Sequence, residues 1–170
     1  MEGVEIMFEI GKIIVHRDHG LCKISGVEHV SYVDKDYFIL YPINDDSTKI
    51  MVPCDGIDCL CREVISKEDC LNLIDSINDL DGSFIQDNKK RKEEYAKMLK
   101  SDKLIDIAHL MKMLNSLFKE KRETNKMIGL IDNAIYKEAR EKLYSEIGYV
   151  LGIDSYDEIE NLIKSKLNFC

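Results

Sequence analysis

The amino-acid sequence predicts an α+β protein with a small, bent antiparallel β module followed by a compact, all-α helical domain. Two observations lead to this fold class. Between residues 8 and 54, short runs of alternating apolar and polar residues are separated by tight turns, which is typical of strands. From residue 66 onward, apolar residues recur every three or four positions, which is typical of helices. We therefore expect one domain over residues 7–64 and a second over residues 65–170.

Four strands are predicted in the β module. They cover residues 12–17, 21–29, 36–41 and 48–52. Gly20 gives the first turn the backbone freedom that it needs, and Pro53 ends the fourth strand because it has no N–H for a sheet ladder. So few strands form a strongly bent sheet or half-barrel with an open edge. Such an edge can pair with a strand of another protein.

Five helices are predicted in the second domain. Ser66 and Asp69 are typical of an N-cap followed by an acidic first turn, and Ser155 with Glu158 has the spacing of a capping box that starts the last helix. The third helix has the broadest apolar face and is expected at the centre, and Gly152 ends the fourth. The first four helices are expected over residues 66–77, 88–100, 103–121 and 125–150, the fourth starting at Asn125.

The charge of the chain is unevenly distributed. A net charge of −8 argues against a general nucleic-acid-binding protein, but residues 89–92 form a basic run that is either a solvated helix face or a phosphate-binding one. If the second and fourth helices pack side by side, their basic residues form one surface that contacts DNA phosphates without reading the bases. The predicted DNA-contacting residues are Lys89, Lys90, Lys92, Lys137 and Arg140. A second basic group consists of Lys137, Arg140 and Lys142, and a third consists of Lys119, Lys121, Arg122 and Lys126.

The sequence contains no motif typical of an enzyme. We find no glycine-rich phosphate loop, no nucleophile elbow and no paired-histidine metal motif, and we expect a non-catalytic protein without a cofactor. Four of the six cysteines are close in sequence, at positions 54, 59, 61 and 70, but they lack the Cys-x-x-Cys pair of most structural zinc sites. No metal ligands are predicted, although a cysteine-based metal protein stays an alternative function.

The sequence also bears on location. The N-terminal residues are acidic and resemble neither a signal peptide nor a transit peptide, and no apolar run is long enough for a membrane span. We therefore expect a cytoplasmic protein that does not bind membranes.

Several short motifs follow one another in an order that carries a family resemblance. They are Phe8, Gly11, His19-Gly20, Ile24-Ser25-Gly26-Val27-Glu28, a Tyr-rich strand at 37–41, Val52-Pro53-Cys54-Asp55, Val64-Ile65-Ser66, Lys97-Met98-Leu99-Lys100-Ser101-Asp102 and Ala139-Arg140. Over nearly its whole length the chain resembles the CarD/CdnL family of bacterial transcription regulators. Its N-terminal module is similar to the polymerase-interacting, Tudor-like domain of transcription-repair coupling factors.

The resemblance implies a function for each domain. The N-terminal module would bind the β subunit of RNA polymerase through an edge strand, and we expect the edges of the second and fourth strands to make this contact. The helical domain would contact promoter DNA at the upstream edge of the melted bubble and stabilise the open complex. Apart from the resemblance, we expect the chain to be a monomer or a weak dimer. The residues implied in polymerase binding are Glu28, His29, Val30, Lys49 and Met51.

One departure from the family leaves an alternative open. The family places a Trp near the start of the second helix, whereas this chain has no Trp and carries Asp87 at that position. A module that binds polymerase or another factor without contacting DNA is therefore the alternative function.

Overall fold

The computed structural model describes residues 8–167 of the chain, with side chains as far as residue 165. It divides into two compact units, which meet in the sequence between Val64 and Ile65.

The N-terminal unit is an open antiparallel sheet of five strands in the order β4-β3-β2-β1-β5. The strands are β1 (Ile13–His16), β2 (Gly20–Val30), β3 (Lys35–Pro42), β4 (Ile50–Pro53) and β5 (Cys61–Glu63). Together with the helical unit, this sheet confirms the predicted α+β class. The four predicted strands are present, and β5 is an additional one.

β5 has only three residues, Cys-Arg-Glu, and no alternating apolar pattern. It exists because it pairs with β1, where Ile14 lies opposite Glu63 and His16 lies opposite Cys61. Its pairing partner is distant in sequence, so local patterning carried no signal for it.

The sheet bends at a β-bulge in β2. The register against β3 shifts between Ile24 and Gly26, and the Ser25 hydroxyl donates a hydrogen bond to the carbonyl oxygen of Ile39 at 3.2 Å. A bulge increases the local twist of the strand. The core of the unit lies on one face of this bent sheet. It contains Ile14, Cys22, Ile24, Leu40, Ile50, Val52, Ile57 and Cys61.

The helical unit contains five α-helices, as the periodicity predicted. They are α1 (Lys67–Ser76), α2 (Asn88–Leu99), α3 (Leu104–Glu123), α4 (Leu130–Leu151) and α5 (Tyr156–Leu167). The hydroxyl of Ser66 accepts a hydrogen bond from the Asp69 N–H at 3.0 Å, so the predicted cap of α1 is present. α3 contributes the largest buried face and packs against both α2 and α4.

The predicted start of the fourth helix was wrong. Asn125 adopts the left-handed conformation, with φ of 51°, and it ends α3 instead of starting α4. The N–H of Asn125 donates to the Arg122 carbonyl, and the N–H of Lys126 donates to the Lys121 carbonyl. This hydrogen-bond pair is a Schellman motif, in which Asn is a common substitute for Gly. α4 therefore starts at Leu130, with Gly129 as its N-cap.

Candidate docking surfaces

The first candidate surface lies at the β4 edge of the sheet. β4 pairs with β3 on one side, and no other strand in the described part of the chain pairs with its outer side. Ile50 and Val52 point into the core, whereas Met51 between them is 41 % exposed. The edge therefore combines unpaired backbone N–H and C=O groups with an exposed apolar side chain.

The structure brings two of the predicted polymerase-contacting residues into direct contact. The ammonium of Lys49 lies 2.7 Å and 2.9 Å from the two carboxylate oxygens of Glu28. This hydrogen bond raises the pKa of Lys49 above its usual value. The pair links β2 to the residue that precedes β4, on the sheet face that also presents Met51.

The remaining two predicted polymerase-contacting residues, His29 and Val30, lie at the end of β2. His29 is adjacent to Glu28 in the strand and so points to the opposite face, where its Nδ1 lies 2.8 Å from the Asp36 carboxylate. Val30 is the last residue of β2. β1 pairs with β2 only as far as Lys23, so among the strands of residues 8–167 only β3 pairs with β2 from Gly26 to Val30.

The second candidate surface is the N-terminal half of α2. Asp87 caps this helix by accepting a hydrogen bond from the Lys90 N–H at 2.7 Å. Lys89, Lys90 and Lys92 are exposed. Arg91, in the middle of the same basic run, is instead turned inward and only 3 % exposed.

Arg91 is part of a buried ion pair that joins α2 to α4. Its Nη2 lies 2.8 Å and its Nε 3.1 Å from the two carboxylate oxygens of Asp132, which is equally buried. Nη1 donates to the carbonyls of Ile85 and Gln86, and the hydrogen bonds to Asp132 raise the pKa of Arg91. Such a bidentate pair fixes the orientation of both side chains.

α2 and α4 pack side by side and run in the same direction. Arg91 meets Asp132 near both N-termini, and the ammonium of Lys142 donates to the Leu99 carbonyl near the end of α2. Lys137 is exposed, but it lies five residues after Asp132 and therefore about 140° around α4 from it.

Arg140 has partners on α5. Its Nη2 lies 3.0 Å from the Glu160 carboxylate, and its guanidinium lies 4.9 Å from the centre of the Tyr144 ring and 5.7 Å from that of Tyr156. The structure therefore groups Lys89, Lys90 and Lys92 on one helix. It does not bring Lys137 or Arg140 into the same cluster.

Sequence reasoning missed a hollow beside α2. This hollow has a volume of about 470 Å³, and its wall combines lysines with apolar side chains. The side chains that concern function are Lys92, Lys121, Met127, Leu130 and Ile131. The sequence assigns Lys121 to a separate basic group, and the predicted start of the fourth helix at Asn125 places Met127 inside that helix, so the sequence does not indicate that the two residues line one hollow.

The cysteines are distributed over both units. Cys22 and Cys61 are buried in the sheet core and Cys70 in the helical core, whereas Cys59 is exposed. Burial raises the pKa of Cys61 to about 12 and that of Cys70 to about 11, so both are thiols at neutral pH. In residues 8–165 no group of three or more His, Cys, Asp or Glu side chains is placed to hold a metal ion.

No helix in the described part of the chain has both the length and the apolar character that crossing a membrane requires.

Comparison with known proteins gives two matches, one in each unit. Residues 8–65 match the family model of the CarD-like/TRCF RID domain, and residues 72–164 match that of the CarD C-terminal domain. No curated protein matches the chain.

Proposed function

The chain belongs to the CarD-like family of non-catalytic, RNA polymerase-interacting transcription regulators, and from this premise we propose that it joins the polymerase β subunit to promoter DNA. The proposal assigns polymerase binding to the domain of residues 7–64 and DNA contact to the domain of residues 65–170. The observation that carries it is the open β4 edge in the unit that matches the polymerase-interacting domain.

The β4 edge supports docking by strand addition. A strand of the β subunit that pairs with β4 would satisfy the outward backbone groups of Ile50–Pro53 and cover the exposed side chain of Met51. The Lys49–Glu28 pair lies on the same face and offers one charge of each sign to side chains of the incoming strand. Backbone pairing supplies affinity in this mode, and such side-chain contacts supply specificity.

The exposed lysines of α2 support contact with DNA. Lys89, Lys90 and Lys92 lie on the first two turns of a helix that the Arg91–Asp132 pair holds against α4. Each lysine that neutralises a phosphate releases counterions from the DNA. Because every nucleotide carries the same phosphate, such contacts are independent of base sequence. Lys137 lies outside this cluster and would contact DNA separately, and Arg140 contributes least because its guanidinium already binds Glu160.

For transcription, the proposed consequence is a shift of the equilibrium between the closed and open promoter complexes toward the open complex. If polymerase and DNA are held by one chain in a geometry that exists only after the strands separate, its binding free energy stabilises the open complex. A protein that bound the closed and open complexes equally well would shift nothing.

Binding to purified polymerase tests the first half of the proposal. We expect Met51→Glu with Lys49→Glu to weaken binding of the full chain to the isolated β subunit by about tenfold or more, because the change removes an apolar contact and reverses a charge. Ile10→Glu is the matched control, since Ile10 is exposed but outside the edge. Undiminished binding of the double variant would show that the β4 edge is not the docking site.

Salt-dependent DNA binding tests the second half. We expect the triple change of Lys89, Lys90 and Lys92 to Glu to lower affinity for duplex DNA and to reduce the slope of log affinity against log salt by about one per lost phosphate contact. Lys67→Glu, at an exposed position of α1, is the control for reversal of one lysine charge outside α2, and it is compared with Lys89→Glu alone. Open-complex lifetime in the presence of polymerase is the functional measurement.

A polymerase-binding module without DNA contact is the second candidate function. The net charge of −8 and the carboxylate of Asp87 beside the lysines favour it, because both repel phosphate. Equal DNA binding and equal open-complex lifetimes for the triple variant and the unchanged chain would establish this candidate instead.

A further inference from the structure

The hollow beside α2 has an apolar wall that faces solvent. Met127 is 91 % exposed, Leu130 is 88 % exposed and Ile131 is 48 % exposed. These residues follow one another in the segment that leads from α3 into the first turn of α4. A cluster of large apolar side chains at this exposure typically marks a protein-binding surface.

The same hollow carries positive charge. Lys92 of α2 and Lys121 of α3 line it together with the N-terminal turn of α4. Gly129, the N-cap residue of α4, makes no side-chain cap hydrogen bond, and the carboxylate of Asp132 in the first turn is bound to Arg91. The N–H groups of this turn and the two ammonium groups therefore favour an anionic partner.

The floor of the hollow is preorganised. The buried pair of Arg91 and Asp132 lines it and joins α2 to α4, so the backbone positions of Lys92 and Leu130 are held relative to each other. Its volume of about 470 Å³ is in the range of cavities that accept side chains or small ligands. Binding to a surface of fixed shape loses less conformational entropy than binding to a mobile one.

We propose that this hollow docks an acidic amphipathic helix of a protein partner, with apolar side chains against Met127, Leu130 and Ile131 and carboxylates near Lys121 and Lys92. The apolar wall distinguishes a protein from DNA as the occupant. Phosphates would satisfy the lysines but would leave this wall without an apolar partner, whereas an amphipathic helix satisfies both. Methionine is also common at surfaces that accept peptide helices.

Fluorescence anisotropy with the full chain tests the proposal. The probe is a labelled, designed amphipathic helix with Leu on one face and Glu on the other. A version with Lys in place of Glu and a version with scrambled order serve as comparison peptides. We expect the Glu peptide to bind and both comparison peptides to bind at least about tenfold more weakly, because they lose charge complementarity or the apolar face.

Variants outside the proposed DNA-contacting residues locate the site. We expect Met127→Ser with Leu130→Ser to weaken binding of the Glu peptide by about tenfold or more, and Lys121→Glu to weaken it by a smaller factor. Leu71→Ser, at a position of α1 that is 46 % exposed, is the matched control. An unchanged unfolding midpoint would show that the double variant is folded. Unchanged affinity for duplex DNA would show that the loss of affinity is specific to the Glu peptide.

Several results would overturn the proposal. They are the absence of binding by the Glu peptide up to about 1 mM, equal binding by the Lys or scrambled peptide, and equal binding by the double variant. Loss of DNA affinity in the double variant, with peptide binding retained, would identify a nucleic-acid surface. Self-association of the chain that the double variant abolishes in sedimentation velocity would identify a contact between two copies.

Discussion

The candidate polymerase surface in the N-terminal unit is largely backbone, whereas the candidate DNA surface in the helical unit consists of side chains. The β4 edge offers its N–H and C=O groups whatever side chains it carries. The lysines of α2 act only if the helix holds them in place, which depends on buried groups such as Arg91 and Asp132. The candidate DNA surface therefore depends on the packing of α2 within the helical unit, whereas the backbone groups of the β4 edge depend only on the pairing of β4 with β3.

The rate of thiol labelling distinguishes the buried cysteines of the two units from an exposed one. The thiolate is the reactive form, and burial raises the pKa of Cys61 to about 12 and that of Cys70 to about 11. At pH 8 we expect both to react with iodoacetamide at least about 100-fold more slowly than the exposed Cys59, and their rates to rise about tenfold per pH unit up to pH 10. Residue-resolved mass spectrometry measures this, and fast labelling of Cys70 alone would mean that the helical unit opens more readily than the sheet.

Removal of one partner of the buried ion pair is expected to destabilise the helical unit strongly. Asp132→Ala leaves the Arg91 guanidinium buried and uncompensated, which typically lowers the free energy of unfolding by about 3–5 kcal/mol. Urea unfolding followed by far-ultraviolet circular dichroism measures it. Glu94→Ala, which removes the exposed partner of Lys97, is the control and should leave the midpoint unchanged. A small effect of Asp132→Ala would mean that α2 does not depend on this pair.

A side chain at Gly148 is expected to separate α4 from the segment that follows it. A Cβ atom there would lie 2.6 Å from the Ile153 carbonyl oxygen and 2.9 Å from Cδ1 of Ile159. Gly148→Ala should therefore lower the free energy of unfolding by about 1–3 kcal/mol, the usual cost of overpacking. Gly26→Ala in β2, where a Cβ atom meets nothing within 4 Å, is the comparison. Similar unfolding curves for both variants would contradict this prediction.

The smallest expected effect on stability is at the Glu28–Lys49 pair. Both side chains are about half exposed, and ion pairs of this kind contribute little to folding. Lys49→Ala should leave the midpoint of thermal unfolding within experimental error while weakening polymerase binding. A clear loss of stability would assign the pair a structural role in the sheet instead of a role in docking.

The parts of the fold that the sequence predicted are those with a local cause. The cap at Ser66 depends on Asp69 three residues away, and the apolar face of α3 repeats within the helix itself. β5 depends on pairing with β1, more than forty residues earlier in the chain, so its three residues gave no signal. Asn is common both at the start of a helix and just after its end. The Schellman hydrogen bonds show that Asn125 follows the end of α3.

The same distinction applies to the candidate surfaces. The basic run predicted exposed lysines at positions 89, 90 and 92, and these lysines are exposed. The inward turn of Arg91 requires Asp132, which lies 41 residues further along the chain, and the periodicity of α2 does not contain that information. Whether these lysines contact DNA stays a prediction.

The bulge in β2 shapes the sheet without changing which side chains it presents. Ile24 lies opposite Leu40 and Gly26 lies opposite Ile39, so Ser25 is the extra residue that has no partner of its own in β3. Deletion of Ser25 would therefore leave Glu28 opposite Tyr37 and on the face of Lys49, and would remove the added twist together with the hydrogen bond from Ser25 to Ile39. A chain shortened at this position would offer the same charged pair on a flatter sheet, so that its affinity for a curved partner strand would report the contribution of curvature alone.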